Sequence, residues 1–347
     1  MLKMKAILHI GPPKTGTTTI QAALANNRED FAKQSTYVFS GTKVSARALS
    51  TLYEKKGASL RPGLRRYFPS HEEAMAWSAE SWAQLESDLK DSQAETAIIS
   101  SEHFASIGQI DEFIARIGSL FDEVKIITYL RDPVSLYGSM ISQQVRAGRR
   151  LRELKDPWRY QFPGIGKIQK YIDAFGLKNV AVRSFSRSNM VGGDLLADFF
   201  HTLNSQFDVD LTVKTKSENK NQSLCGAATA WLLTMNESFI IQPKVNDKQT
   251  AIRRNAIIQK LRTSEALAAL PKFSISSEEF KNAILHNNRN KIITYNKTFL
   301  NSDSQLGLGK EFKTPPSPKE AQAKMADWIL GYLTPEATQI IARELVL

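Results

Sequence analysis

The chain has 347 residues, 42% of them hydrophobic, and its 46 lysines and arginines against 35 acidic residues give a net charge of +11. A chain of this length buries a large core as one domain or two, which excludes extended disorder, and the positive surplus suits polyanionic ligands. The single cysteine, Cys225, excludes intrachain disulfides and cysteine-based zinc sites, and no apolar run approaches the ~18–20 residues of a membrane span.

The N-terminus passes from Met1 to Lys5 into a short apolar strand at Ala6, Ile7 and Leu8 with no signal-like segment, so a cytoplasmic location is expected. Ile20, Ala23 and Leu24 fall at the spacing of a helix face, so a tight turn over His9–Thr18 joins strand to helix. The polar stretch 35–70 reads as an insertion over a cleft. Met75, Ala79, Trp82, Leu85 and Leu89 mark a long helix, and 97–100 is a strand. A helix over 110–121 leads into a β-branched strand at 124–130. Helices are expected near 166–175 and from Leu195, the latter capped by Asp194, with a strand at 180–182 between them. A polar connector spans 214–222. Beyond it the chain reads as helices over 226–236, 251–270, 277–287, 318–330 and 335–345. Alternating strands and helices over the first two hundred residues predict an α/β fold with a central parallel sheet. One domain is expected over 1–347, with an α/β core at 1–205 and a helical portion at 206–347.

The turn is the most informative segment. Gly11 and Gly16 allow close backbone approach, and the helix beyond them offers unpaired N–H groups and a positive dipole end, so an anion is expected there. A nucleoside triphosphate loop places lysine after the second glycine. Here Thr17 occupies that slot, and the lysine is Lys14, behind Pro12 and Pro13. A second segment, Arg131-Asp132-Pro133, ends the 124–130 strand and precedes a helical stretch carrying Ser139. An arginine leaving a strand and a serine about two turns into the next helix can meet on one phosphate.

Together these segments resemble sulfotransferases that use 3′-phosphoadenosine 5′-phosphosulfate (PAPS), of the bacterial carbohydrate type. The resemblance implies a P-loop NTPase-like three-layer scaffold. Lys14 would stabilise the bridging oxygen of the donor. Gly11, Pro13, Thr15, Gly16, Thr17 and Thr18 would cradle the 5′-phosphosulfate, and Arg131 with Ser139 would fix the 3′-phosphate. It also implies a base at the end of the strand between the two motifs, where Glu102 and His103 stand side by side. Side chains alternate along a strand, so only one of them faces the cleft if the strand persists. Glu102 is preferred, because the histidine enzymes carry a lysine two residues before their base and this chain has Ser100. No metal is required.

The implied acceptor is a hydroxyl or amine, with a glycan foremost. The chain lacks an R-K-G-x-x-G-D-W-like segment near its C-terminus, which leaves the adenine contacts unassigned. Arg183, Asn221, Gln222 and Ser223 are candidates. Two rivals stand beside this reading: a nucleotide kinase or NTPase on the same scaffold, and a binding protein without turnover. Basic clusters at Arg61, Arg65, Arg66 and at Arg146, Arg149, Arg150, Arg152 read as solvated surface or as an attraction for an acidic acceptor. Aromatic residues are not interleaved with them, so nucleic-acid binding is not expected.

Overall fold

Five short runs of β-branched and apolar residues make the strands: β1 Lys5–Ile10, β2 Thr36–Phe39, β3 Thr96–Ser101, β4 Glu123–Leu130 and β5 Val180–Ser184. They form one sheet in the order β2-β3-β1-β4-β5, and every pair is parallel. The structure is a computed structural model that describes residues 4–39, 46–57, 59–60, 62–65, 67–213, 223–238, 248–311 and 314–346. It is an α/β fold. None of its helices, among the described residues, is long and apolar enough to cross a membrane.

Numbering the helices of eight residues or more, the chain carries α1 Thr17–Asn26, α2 His71–Asp91, α3 Ile110–Leu120, α4 Pro133–Arg146, α5 Ile168–Phe175 and α6 Leu195–Phe207. It continues with α7 Gly226–Glu237, α8 Lys248–Thr263, α9 Glu278–Asn287, α10 Arg289–Phe299, α11 Pro318–Leu330 and α12 Pro335–Val346. Contacts divide the chain into two compact units. One comprises Met1–Arg131, Pro163–Glu218 and Phe299–Ser304, and the other Asp132–Phe162, Asn219–Thr298 and Gln305–Leu347.

In the first unit the sheet is covered on both faces, as parallel strands buried on two sides require. Ile7, Ile98, Ile127 and Tyr129 pack on one face beneath Ile20 and Leu24 of α1 and Leu196, Phe199 and Leu203 of α6. Helices α3 and α5 pack against β4. An aromatic cluster lies beside them, with Trp82 edge-on to Tyr53 and Phe113, and Phe104 and Tyr171 also against Phe113. The Trp82 indole N–H donates to the Leu49 carbonyl at 3.1 Å, so this fully buried ring leaves no polar atom unpaired.

The second unit is helical. Helix α4 starts where Asp132 accepts from the Ser135 N–H at 2.9 Å and Pro133 takes the first helical position, where its missing donor costs nothing. Its C-terminal carbonyls are capped by two buried side chains. Asn236 donates to the carbonyls of Val145 and Arg149, both at 2.8 Å, and Arg254 donates to those of Val145 and Arg146. Cys225 is buried and caps α7 through its sulfur, which accepts from the Ala228 N–H.

Several expectations change. Residues 35–70 are not wholly an insertion, because Thr36–Phe39, β-branched and aromatic amid polar neighbours, forms the outer strand β2 beside β3. The helix expected over 251–270 ends at Thr263, where Ser264 turns extended and caps a further short turn at Glu265–Ala268. Helix α10 was not foreshadowed; it follows α9 after Asn288 alone, whose buried amide donates to the carbonyls of Tyr160 and Ile284. The connector at 214–222 lies outside the described residues, as do Arg61, Arg66, Asn221 and Gln222. Trp82→Ala is expected to cost about 3–5 kcal/mol in urea unfolding, through the cavity it leaves and the Leu49 carbonyl it strands. A loss below ~1 kcal/mol rejects that role.

Candidate functional site

The parallel register brings three loops to one edge of the sheet. Ile10 of β1 lies opposite Ser101 of β3 on one side and Thr128 of β4 on the other. The turn after Ile10, the segment after Ser101 and Arg131 beyond β4 therefore leave the C-terminal ends of three adjacent strands. In open parallel sheets that is where ligands bind, where the connections reverse direction. Two hydrogen bonds continue the sheet into the turn: the Gly11 N–H donates to the Ser101 carbonyl at 3.1 Å, and the Thr128 hydroxyl to the Ile10 carbonyl at 2.6 Å.

The turn is strained. Lys14 has φ 69°, left-handed backbone that costs a side-chain-bearing residue on the order of 1–2 kcal/mol, and Gly16 has φ 75°. Alternating left-handed and ordinary residues curl the backbone N–H groups toward one point, the geometry of an anion nest. Among the described residues no protein acceptor meets the N–H groups of Thr15, Gly16, Thr17 or Thr18 at the start of α1. What holds the curl is the Arg131 guanidinium, which donates to the Lys14 carbonyl at 2.9 Å while lying 5.5 Å from the centre of the Phe185 ring.

Close packing leaves little freedom around the glycines. A Cβ on Gly11 would collide with the Thr17 hydroxyl, and one on Gly16 would collide with Leu195 at the start of α6. The Thr15 hydroxyl donates to the Pro12 carbonyl at 2.7 Å and so braces the turn. The Thr17 hydroxyl oxygen is buried without a hydrogen-bond partner among the described residues, whereas Thr18 is exposed.

Strand β3 does not persist through the base candidates. Ser101 accepts from the His103 N–H at 3.2 Å, and the chain turns into a short 3-10 helix over Glu102–Ser106. Strand alternation therefore does not choose between Glu102 and His103. Both belong to one turn, with His103 Nε2 3.8 Å from the Glu102 carboxylate. Accessibility differs: the Glu102 side chain is 49% exposed and that of His103 14%. The turn is tied down by Tyr171, whose hydroxyl donates to the Phe104 carbonyl at 2.9 Å, and by the Lys167 N–H on the Ala105 carbonyl.

Ser139 is carried by α4, in the second unit. Of the basic cluster there, Arg149 pairs with Glu153 at 2.9 Å, Arg150 is buried, and Arg146 has its pKa lowered by burial and by the nearby Arg262. A uniform solvated face does not describe these residues. Among the described residues no group of three or more His, Cys, Asp or Glu could hold a metal ion.

Two supports went unread in the sequence. Asp198, fully buried on α6, accepts two hydrogen bonds from Arg183, one from the Tyr129 hydroxyl at 3.0 Å and one from the Val191 N–H at 3.1 Å. Arg183 thus fastens α6, whose Leu195 seats Gly16, to β5. An aspartate at a buried position among Leu195, Leu196, Phe199 and Phe200 was the available signal. The second support is His9. It is fully buried on β1 and shares a 2.7 Å hydrogen bond between Nδ1 and the Ser100 hydroxyl, with Phe199 and Tyr129 edge-on to its ring.

No protein-family model and no curated protein sequence matches this chain. Its chemistry therefore rests on the site itself.

Burial pushes the His9 imidazole down from 6.5 to about 3. Between those values the unfolded chain binds a proton that the folded chain refuses, so stability present above pH 6.5 is lost as pH falls toward 3. Urea unfolding of wild type and His9→Asn at successive pH values is expected to show the wild-type advantage shrinking by about 1.4 kcal/mol per pH unit below 6.5. An advantage that does not vary with pH rejects the buried neutral imidazole.

Proposed function

We propose that this chain is a PAPS-dependent sulfotransferase, moving a sulfuryl group to a hydroxyl or amine acceptor, on a three-layer P-loop-like scaffold. The observation that carries the reading is the left-handed turn at Lys14 and Gly16, where the N–H groups of Thr15, Gly16, Thr17 and Thr18 meet no acceptor among the described residues and Arg131 is bound across the turn. Three features support a bisphosphorylated donor over a nucleoside triphosphate. The lysine precedes the second glycine, Thr17 stands where a triphosphate loop has lysine, and an arginine from the neighbouring strand end reaches the same turn.

The residues divide the work as follows. The N–H groups of Thr15, Gly16, Thr17 and Thr18 and the buried Thr17 hydroxyl hold an anion at the α1 N-terminus, where the helix dipole adds to them. The sequence resemblance assigns Arg131 to the 3′-phosphate, which a guanidinium suits by its planar fork of donors. Lys14 offsets negative charge as it develops on the leaving oxygen. Glu102, the more accessible of the two base candidates, takes the proton of the attacking group. The donor supplies the activated sulfuryl group. A carbohydrate is the acceptor that the sequence resemblance implies.

Calorimetry with adenosine 3′,5′-bisphosphate and with Mg-ATP tests the donor. The bisphosphate is expected to bind more tightly, and a preference for Mg-ATP turns the reading to a kinase or NTPase. Arg131→Ala is expected to weaken bisphosphate binding by roughly 10–150-fold, the equivalent of one charge-assisted hydrogen bond. In a mass-spectrometric sulfonation assay over a broad acceptor panel, Glu102→Gln and Lys14→Ala should each lower turnover by at least about 100-fold. Bisphosphate binding without sulfonation of any acceptor identifies a binding protein instead.

A further inference from the structure

The helical unit gathers arginines where α4 ends. Arg146 stands in the last turn of that helix, and Arg149, Arg150 and Arg152 follow directly in the chain. Helix α8 adds others from a second direction. Its inner face runs Arg254, Ile258 and Leu261, all buried, and the half-buried Arg262 continues it at the spacing of one helix face. The Arg254 guanidinium donates to the carbonyls of Val145 at 3.1 Å and Arg146 at 3.0 Å, so α8 is docked on the very backbone that carries Arg146.

The acids of this region are committed elsewhere. Glu153 accepts from the Arg149 side chain at 2.9 Å and from the Arg150 N–H at 3.0 Å, and Glu237 accepts from the Leu151 N–H at 2.6 Å. The negative end of α4 does not serve Arg146 either, because the carbonyls of Val145, Arg146 and Arg149 are already bonded by Asn236 and Arg254. Among the described residues the half-buried Arg146 guanidinium meets no hydrogen-bond acceptor and no carboxylate. What it meets is another cation: burial and the nearby Arg262 together hold its pKa below the ordinary arginine value. Arginine stays charged in a protein, and a partly buried charge without a counter-ion is unfavourable. A metal ion or an ammonium group would add to the repulsion, and a neutral ligand would leave it in place. A carboxylate has two oxygens in one plane, which one guanidinium fork occupies. A tetrahedral oxyanion offers a separate edge to each of two forks, and so relieves both charges at once.

We propose that the junction of α4 and α8 binds a phosphate or sulfate group, gripped between the guanidiniums of Arg146 and Arg262. The site uses no residue of the sheet-edge turn, and it stands or falls apart from the donor reading.

The test is titration calorimetry of the full chain in a chloride buffer of low ionic strength, without nucleotide, using inorganic phosphate, inorganic sulfate, glucose 6-phosphate and glucose 6-sulfate. Wild type and Arg131→Ala are titrated side by side, so that an anion at the sheet edge is read apart from one at this junction. Saturable binding of a phosphate or sulfate probe is expected in both. Adding Arg146→Gln or Arg262→Gln to Arg131→Ala should weaken it about tenfold or more, the loss of one charge-assisted hydrogen bond. Circular dichroism checks that each variant keeps its native structure. Should Arg131→Ala fail to fold, Arg146→Gln alone decides, through the loss of one bound ion per chain. Tighter binding of the sugar esters marks an esterified occupant and equal binding a free ion, and either result sustains the site. No saturable binding in Arg131→Ala overturns the proposal, and so does binding that Arg146→Gln leaves undiminished. Acetate competing as strongly as phosphate overturns the tetrahedral assignment.

Discussion

A guanidinium bonded to a main-chain carbonyl is the contact on which the sheet-edge site depends. Lysine resists left-handed backbone, and the turn adopts it at Lys14 because Arg131 binds the carbonyl of that residue. Arg131 is positioned because β4 lies beside β1 in parallel register, so the end of one strand stands next to the turn that follows the other. The strain at Lys14 is therefore supported by the sheet, and the outcome is a set of N–H groups aimed together before any ligand arrives. Such preorganisation spares a binding site the cost of ordering itself when the ligand binds.

Around this contact the structure adds buried polar links that each join two elements. His9 joins β1 to β3 through Ser100, and Asp198 joins α6 to β4 and β5 through Tyr129 and Arg183. Taking one partner from a buried pair strands the other, and that penalty fixes a unique arrangement more firmly than apolar contact alone. The consequence falls on Gly16, because Leu195 at the head of α6 occupies the space beside it. A shift of that helix would be felt in the turn.

Much of this was legible from residue order. The apolar runs at 6–8, 97–100, 124–130 and 180–182 became β1, β3, β4 and β5, because β-branched residues between polar flanks have few alternatives to a buried strand. The Lys14 turn and Arg131, paired in the sequence by the family resemblance, are joined by a hydrogen bond from the guanidinium to the Lys14 carbonyl. β2 stayed hidden because four residues amid a polar stretch carry too short a pattern. The fate of Glu102 and His103 was hidden for another reason: Ser101 stops the strand by a side-chain bond to a backbone N–H two residues on, a local competition that hydrophobic periodicity does not register. Asp198 and Arg183 lie fifteen positions apart, and their pairing depends on how α6 folds back over the sheet.

The division of the chain also governs the order in which it can mature. Neither compact unit is continuous: the path leaves the first at Arg131, spends 132–162 in the second and returns at Pro163. As the polypeptide emerges during synthesis, β1 to β4 can associate early. β5 and α6 must wait until that intervening segment has been made, and α4 must wait far longer for α7 and α9, against which it packs. Cutting the gene at any single codon would thus separate partners of one core or the other, so each unit is best expressed from the whole reading frame.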